Sequence, residues 1–267
     1  MGKRRNKFID AHAHVNYSYY TDFAIQQIVE ATEYNKVKFI INNGGHFEEN
    51  DQVIELSKKY PLLKACIGIH PESIKDSNSI LGFKEKVIEN LDNIVGIGEI
   101  GIDYYYSDGP NRDDQIYCFE EQIKIANEYN LPVVIHIRDK ENEFQAYQDV
   151  YQILQKYKNL KVMLHTFAGN IDWAKKFMEF KNLYFSFSGV VTFNSSENTR
   201  QVVKFIPLER MLTETDSPYL RPHPYTGEKN EPNTVVYTSY YISALKEVGL
   251  DKFVDKINRN LRRLFNL

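Results

Sequence analysis

The stretch Phe8-Ile-Asp-Ala-His12-Ala-His14 carries the first sign of how this chain folds and what it binds. A short apolar run ends in two histidines separated by one residue. Side chains alternate between the two sides of an extended backbone, so both imidazoles lie on the same side. Two nitrogens so placed can bind one divalent ion. Such a pair alone is weak evidence, because it is as often a surface or core detail as a pair of ligands.

Seven more short, β-branched apolar runs follow along the chain, as expected of strands buried on both faces. Amphipathic stretches separate nearly all of them, and no stretch has the composition of a linker. We therefore predict an α/β protein, a single (β/α)8 TIM barrel over residues 1–267. The predicted strands are Lys7–His12, Val37–Asn43, Leu63–His70, Ile94–Glu99, Pro132–His136, Lys161–His165, Leu183–Ser188 and Arg210–Asp216. The predicted helices include Phe23–Tyr34, Asp51–Tyr60, Ile116–Tyr129, Ala146–Tyr157, Trp173–Phe180, Glu197–Phe205, Tyr237–Val248 and Asp251–Phe265.

Composition narrows the class of protein. No apolar run approaches the roughly 18 residues of a membrane span, and the basic residues 1–7 lead into Phe8 without the apolar core of a secretory signal. We therefore expect a cytoplasmic protein, with Cys66 and Cys118 as buried, reduced thiols. The net charge of −3 does not favour a general nucleic-acid binder. It leaves a phosphodiester substrate open, because divalent ions can supply positive charge locally.

Side chains that bind metals recur at the ends of the predicted strands. In a (β/α)8 barrel the carboxyl ends of the strands surround one mouth, so residues far apart in sequence meet there. A single strand-end histidine is more often a structural residue than a ligand, but several of them in succession favour ligation. We predict a metal site formed by His12, His14, Glu99, His136, His165 and Asp216.

Glu99 lies in the glycine-rich stretch Gly96-Ile-Gly-Glu-Ile-Gly-Ile-Asp103 and is predicted to be both ligand and catalytic residue. Its two oxygens can bridge two cations, and the glycines leave room for a close approach to the backbone. The alternative is a buried glutamate paired with Arg or Lys, because an unpaired buried carboxylate is costly. Asp103 is predicted to hold a ligand or a loop in place.

Asp216 lies in Leu212-Thr-Glu-Thr-Asp-Ser-Pro218 and is the second predicted catalytic residue. It is predicted to bind a metal ion, to act as the base that activates a metal-bound water, or both. Glu214, on the same side of the strand, is predicted to support it. The alternative for Asp216 is a turn cap, because Asp before Ser-Pro favours a turn.

Three other residues are candidate substrate contacts. His70 ends the third predicted strand, where a structural imidazole is the equal alternative. Arg138 either faces a substrate phosphate or forms a structural ion pair. Ser188, before Gly189, offers a hydroxyl and a close backbone approach. His46 lies in a polar loop and is predicted to face solvent.

Taken in order, the motifs of this chain resemble those of the TatD family of metal-dependent hydrolases. The likeness runs from Ile9 to Phe265, and as a set the motifs are highly specific. They are His12-Ala-His14, Gly68-Ile-His-Pro71, Gly98-Glu-Ile-Gly-Ile-Asp-Tyr104, Val134-Ile-His-Ile-Arg-Asp139, His165-Thr-Phe-Ala-Gly169, Ser186-Phe-Ser-Gly-Val-Val-Thr-Phe193, Glu214-Thr-Asp-Ser-Pro-Tyr219 and Asn230-Glu-Pro232.

The resemblance implies a barrel of the amidohydrolase type that holds one or two divalent ions, namely Mg, Mn or Zn. It also implies metal-dependent deoxyribonuclease activity, with exonuclease action on DNA ends. In the family's pattern one ion is held by three of the predicted ligands and the other by two, with Glu99 between them. The first set is His12, His14 and Asp216, and the second is His136 and His165.

Two departures from the family pattern concern substrate binding. Thr166 follows His165, the fourth of the predicted histidine ligands, at a position where the family often has Cys. The run Tyr225-Thr-Gly-Glu-Lys229 stands where the family commonly carries His-Arg-Gly-Lys-Arg, so basic side chains that would bind phosphate are replaced.

We predict a divalent-metal-dependent hydrolase that cleaves phosphodiester bonds of DNA through a metal-activated water, with DNA or another phosphodiester as a transient partner and no membrane association. One alternative is a hydrolase of the same fold that acts on an ester, amide or lactone bond, for instance in aminoacyl-tRNA or a small metabolite. A more distant alternative is a non-catalytic metal-binding barrel, against which the complete set of candidate ligands argues.

Overall fold

The computed structural model describes residues 8–267. Lys7, predicted as the first strand residue, and the basic segment 1–7, predicted not to be a secretory signal, lie outside the described residues. The strands are β1 (Phe8–Ala13), β2 (Val37–Asn43), β3 (Leu63–Ile67), β4 (Ile94–Asp103), β5 (Val133–Arg138), β6 (Val162–Leu164), β7 (Leu183–Phe187) and β8 (Met211–Thr213). The helices are α1 (Asp22–Tyr34), α2 (Phe47–Lys59), α3 (Phe83–Glu89), α4 (Arg112–Glu128), α5 (Gln145–Leu154), α6 (Ile171–Phe177), α7 (Glu197–Phe205), α8 (Val235–Leu245) and α9 (Leu250–Phe265).

The eight strands form one parallel sheet in the order β1 to β8, which confirms the predicted (β/α)8 barrel. The barrel closes just beyond β8, where the backbone N–H of Asp216 donates to the carbonyl of His12 at 2.9 Å and that of His14 to the carbonyl of Ser217 at 2.7 Å. Two predicted ligands of the first strand and one of the last are therefore fixed by the hydrogen bonds that close the barrel.

β8 ends at Thr213, three residues before the predicted end of that strand. The strand ends there because the Asp10 side chain takes the place of a neighbouring strand as hydrogen-bond acceptor. The buried carboxylate of Asp10 accepts from the backbone N–H of Thr215 at 2.8 Å and from its hydroxyl at 2.6 Å. Asp216 then adopts a left-handed backbone conformation, with φ of 57°. It therefore lies on a tight turn beyond the strand.

Among the other element ends that differ from the prediction, those of β3 and β4 bear on the site. β3 ends at Ile67 and leaves His70 in a loop, where its side chain caps a short 3-10 turn that begins at Pro71. β4 continues beyond Glu99 to Asp103, because Gly101 and Asp103 pair with His136 and Arg138 of β5. Helix α3, which was not predicted, has seven residues and is too short to show a clear amphipathic repeat.

The core is formed by apolar residues of the strands and of the helix faces that cover them, and all residues of β1, β6, β7 and β8 are buried. Cys66 and Cys118 are both free and buried, as predicted. Burial raises the pKa of the Cys118 thiol to about 11. No helix within residues 8–267 is long and apolar enough to cross a membrane.

Candidate metal centre

The structure brings all six predicted ligands together at the carboxyl ends of the strands. His12 and Glu99 lie within β1 and β4, and His136 lies within β5. His14 and His165 directly follow β1 and β6, and Asp216 lies three residues beyond the end of β8. Five are buried, and His136 is partly exposed. Their polar atoms form two groups, which we call the first and second clusters.

The first cluster consists of His12, His14 and Asp216, with Glu99 Oε2 facing it. His12 Nε2 lies 3.0 Å from His14 Nε2 and 3.3 Å from both Asp216 Oδ1 and Glu99 Oε2. His14 Nε2 lies 3.1 Å from Glu99 Oε2 and 3.6 Å from Asp216 Oδ1. Ligands held about 2.0–2.2 Å from one ion are separated by roughly 3.0–3.6 Å in tetrahedral or octahedral sites, so these four atoms are spaced as ligands.

The second cluster consists of His136 and His165, with Glu99 Oε1 facing it. Glu99 Oε1 lies 2.9 Å from His136 Nδ1 and 2.8 Å from His165 Nε2, and the two nitrogens are 3.1 Å apart. The two oxygens of Glu99 therefore face different clusters, which is the arrangement of a bridging carboxylate. All the ion-pair contacts of Glu99 within the described residues are with histidines, so the alternative of a pair with Lys or Arg is wrong.

The two clusters are held by different partners. In the first, His14 Nδ1 lies 3.1 Å from the carbonyl of Asn43. Because a carbonyl accepts, Nδ1 carries a proton, so Nε2 is the nitrogen that faces the cluster and that would bind an ion once it is deprotonated. In the second, Asp103 Oδ2 lies 2.8 Å from His136 Nε2, and Glu214 Oε1 lies 3.5 Å from His165 Nδ1. Asp103 thus supports a ligand, as predicted, whereas Glu214 lies behind His165 and not behind Asp216, its predicted partner.

Asn43 was missed by the sequence analysis, because it contributes a backbone carbonyl and no side-chain signal.

Thr166 holds Glu214 in place: its backbone N–H donates to Glu214 Oε1 at 2.6 Å, and its hydroxyl donates to the same oxygen. The residue that departs from the family pattern is therefore part of the support of the second cluster.

The glycines around Glu99 serve the packing of neighbouring strands. A Cβ on Gly101, which has φ of 151°, would lie 2.0 Å from the carbonyl oxygen of His136 on β5. A Cβ on Gly68 would lie 2.6 Å from the carbonyl oxygen of Glu99 itself. The sequence predicted a close approach to the backbone near Glu99. In the structure the approaching groups are backbone atoms of neighbouring segments, so β3, β4 and β5 pack closely around Glu99.

Protons and metal ions compete for the lone pairs of these clusters. Burial lowers the pKa of His14, but hydrogen bonds to Asp216 and Glu99 outweigh it and raise that pKa to about 10. Burial likewise opposes charge on Glu99, yet the surrounding histidines hold its pKa well below the usual range. Metal binding at such a site releases protons, so metal affinity weakens as pH falls.

Both clusters line a cavity of about 650 Å³. His70 lines it and places Nε2 at 3.3 Å from Glu99 Oε1. Arg138 also lines it, with its guanidinium carbon 3.8 Å from the ring centroid of Tyr105. Ser188, the third candidate substrate contact, is buried, and the cavity-lining residue of that loop is Val190.

His46 also lines the cavity and is half-buried. Solvent therefore reaches His46 as predicted, although it does so through the mouth of the site. Three tyrosines that the sequence analysis did not single out line the same cavity, namely Tyr19, Tyr106 and Tyr219.

The donor set fits divalent cations. Imidazole nitrogens and carboxylate oxygens converge from mostly buried positions, and three overlapping groups of them are compact enough to hold an ion, one of which includes His70. Over residues 9–266 the sequence matches the family model described as TatD related DNase. The chain belongs to the TatD family.

Relatives agree with this assignment to the TatD family. The chain is 35% identical to the "Uncharacterized metal-dependent hydrolase YabD" of Bacillus subtilis, over 97% of this chain and 98% of that protein. It is similar in structure to YJJV, a TatD homologue from Escherichia coli, with a TM-score of 0.88, 25% identity and 98% of both chains covered. A TatD family hydrolase from Entamoeba histolytica shares the fold, with a TM-score of 0.84, 23% identity and 98% of both chains covered. The chain is a metal-dependent hydrolase of the TatD family.

Proposed function

We propose that this protein is a deoxyribonuclease that hydrolyses phosphodiester bonds with one or two divalent ions. The observation that carries the proposal is the division of Glu99 between two clusters beside one open cavity. When bound, such ions lower the pKa of a coordinated water and stabilise charge on a phosphoryl group. His12, His14 and Asp216 would hold one ion, and His136 and His165 the other, with Glu99 shared.

Asp216 is positioned to act as the base. Its carboxylate joins the first cluster and lines the cavity, so a water on the cavity side lies within its reach. Burial raises its pKa, but hydrogen bonds to His12 and His14 outweigh that and hold its pKa below the usual range. Asp216 is therefore ionised and can orient the attacking water and accept its proton.

His70 provides a hydrogen-bond donor in the wall of the cavity. Its Nδ1 accepts a hydrogen bond from the backbone N–H of Glu72 at 3.2 Å, so in the neutral imidazole the proton is on Nε2. Nε2 lies at the second cluster, near Glu99, but a protonated nitrogen has no lone pair for a metal. We assign His70 to hydrogen bonding of a phosphoryl oxygen, and not to metal binding.

Arg138 supplies positive charge to the cavity. Within residues 8–267 no carboxylate forms an ion pair with it, so its guanidinium is available to a phosphate. The basic residues of the loop after β8 have other contacts. Lys229 donates to the carbonyl of Tyr19, and Arg221 donates to the carbonyl of Lys229 and lies 3.6 Å from Glu228. Phosphate binding at this mouth therefore depends mainly on the ions, His70 and Arg138.

This shortage of cations favours one second candidate, a hydrolase that acts on an ester, amide or lactone bond. Arg138 is the one Lys or Arg among the described cavity-lining residues, and an uncharged substrate would need no more. The same ligands and the same base would serve that reaction.

A substrate panel separates the two candidates. Wild-type protein and the Asp216→Asn variant are assayed with Mg²⁺, Mn²⁺ or Zn²⁺ on DNA oligonucleotides, a simple phosphodiester, carboxylic esters and a lactone. Deoxyribonuclease function predicts metal-dependent release of nucleotides that is lost in the variant. Turnover of esters or lactones in the absence of phosphodiester cleavage would establish the second candidate.

A further inference from the structure

Three tyrosines line the cavity, namely Tyr19, Tyr106 and Tyr219, and Tyr105 packs against Tyr106; we call these four the aromatic rim. On one side, the rings of Tyr19 and Tyr219 meet edge to face, with centroids 5.8 Å apart. On the other side, Tyr105 and Tyr106 do the same at 4.9 Å. Tyr106 and Tyr219 are about half exposed, at 50% and 49%, so their rings are available to a ligand.

The first side of the rim is tied to the metal centre. Both Tyr19 and Tyr219 lie against the ring of His14, with centroids 6.2 and 6.4 Å away. Tyr219 donates its backbone N–H to the carbonyl of Asp216 at 2.8 Å, and Lys229 donates to the carbonyl of Tyr19. These contacts hold both rings against the ligand His14 and connect Tyr219 to the base Asp216.

The second side of the rim carries the cation of the cavity. The guanidinium carbon of Arg138 lies 3.8 Å from the ring centroid of Tyr105 and 5.3 Å from that of Tyr106. Arginine stacked on an aromatic ring keeps its N–H groups free for a phosphate. Rings and a phosphate-binding group thus lie side by side at the mouth.

We infer that the aromatic rim binds a nucleobase next to the scissile phosphate and so selects nucleotides over other phosphodiesters. This inference rests on the proposed phosphodiester hydrolysis. Every base has an aromatic face, so stacking on tyrosine is tolerant of sequence and adds affinity that does not depend on charge. It explains how a cavity with one cation can hold a nucleic acid.

A matched pair of substrates tests the inference. Thymidylyl-thymidine and its analogue with one abasic tetrahydrofuran residue carry the same charge and the same phosphodiester but differ by one base. For wild-type protein we expect the KM of the abasic analogue to be roughly tenfold higher, the scale of one stacked base. Equal KM values for the two substrates would overturn the inference and leave the proposed hydrolysis intact.

Variants of the rim tyrosines test whether the rim causes this difference in KM. In Tyr219→Ala and Tyr106→Ala the ratio between the KM of the abasic analogue and the KM of the dinucleotide should fall toward one, because the lost ring no longer favours the substrate with the additional base. Tyr219→Phe, which keeps the ring, should retain the low KM. Tyr117, on α4 and 47% exposed outside the cavity, provides the control Tyr117→Ala, which should behave as wild type. An equal rise for both substrates in the rim variants would contradict base binding.

Nucleobase binding by the rim can also be measured in the absence of turnover. Titration calorimetry compares thymidine 5′-phosphate with 2-deoxyribose 5-phosphate, and the rim predicts roughly tenfold tighter binding of the nucleotide, lost in Tyr219→Ala. If wild-type protein hydrolyses neither phosphodiester, the proposed function fails, and this ratio still decides the rim. A ratio near one overturns base binding whatever the activity.

Discussion

The two clusters of the metal centre share Glu99 but are supported in different ways. The first is fixed by backbone: the hydrogen bonds that close the barrel run through His12, His14 and Asp216, and a carbonyl orients His14. The second is fixed by charge: Asp103 and Glu214 lie behind its imidazoles. A carboxylate behind a ligating imidazole raises its basicity and fixes its tautomer.

This difference means that the clusters should respond differently to mutation. The first cannot lose its support without disturbing the closure of the barrel. The second depends on side chains that can be neutralised one at a time. Four variants test this contrast.

The largest effect is expected for Glu99→Gln. An amide has a single oxygen to offer and no negative charge, so neither cluster keeps its shared ligand. We expect the loss of both ions and of activity, measured as metal content after dialysis together with turnover. If the variant bound one ion with native affinity, Glu99 would serve one cluster alone.

Asp216→Asn should affect the first cluster and spare the second. Loss of a base typically lowers turnover by roughly 10²-fold or more, and the ion of the second cluster should remain bound. Calorimetric titration with Mn²⁺ counts the sites, and single-turnover assays give the rate. Turnover like that of wild type would remove Asp216 from the mechanism.

Asp103→Asn tests the support by charge directly. Loss of such a partner costs roughly 10- to 100-fold in metal affinity, and this cost should fall on the second cluster only. Asp139→Asn is the matched control, because Asp139 accepts from the backbone N–H of Ala146 at the start of α5 and touches neither cluster. A parallel loss of affinity at both clusters would show that they are not independently supported.

The smallest effect is expected outside both clusters. In the double variant Thr226→Arg, Glu228→Lys, each added phosphate contact should steepen the slope of log affinity against log salt by roughly 0.7 for single strands. Metal affinity should not change. DNA binding is measured by fluorescence anisotropy from low to moderate salt. If the wild-type protein already shows a steep slope, other residues must contact the phosphates.

The barrel could be predicted because buried parallel strands are short, continuous apolar runs, and a barrel repeats them with helices between. The convergence of the six candidate ligands could be predicted because the ends of such strands meet at one mouth. The end of β8 could not, because the Asp10 carboxylate replaces the strand ladder there through long-range hydrogen bonds with Thr215. Helix α3 was missed because seven residues carry too little periodicity.

The sequence by itself determined the residue types of the metal centre, since ligand chemistry belongs to the side chains and strand ends set their position. Only the tertiary structure decided how Glu99 divides its oxygens, which nitrogen of His70 carries its proton, and which cations near the mouth are already engaged. These features depend on distances between segments far apart in the chain. The aromatic rim belongs with them, because its tyrosines come from three separate loops that only the closed barrel brings to one cavity.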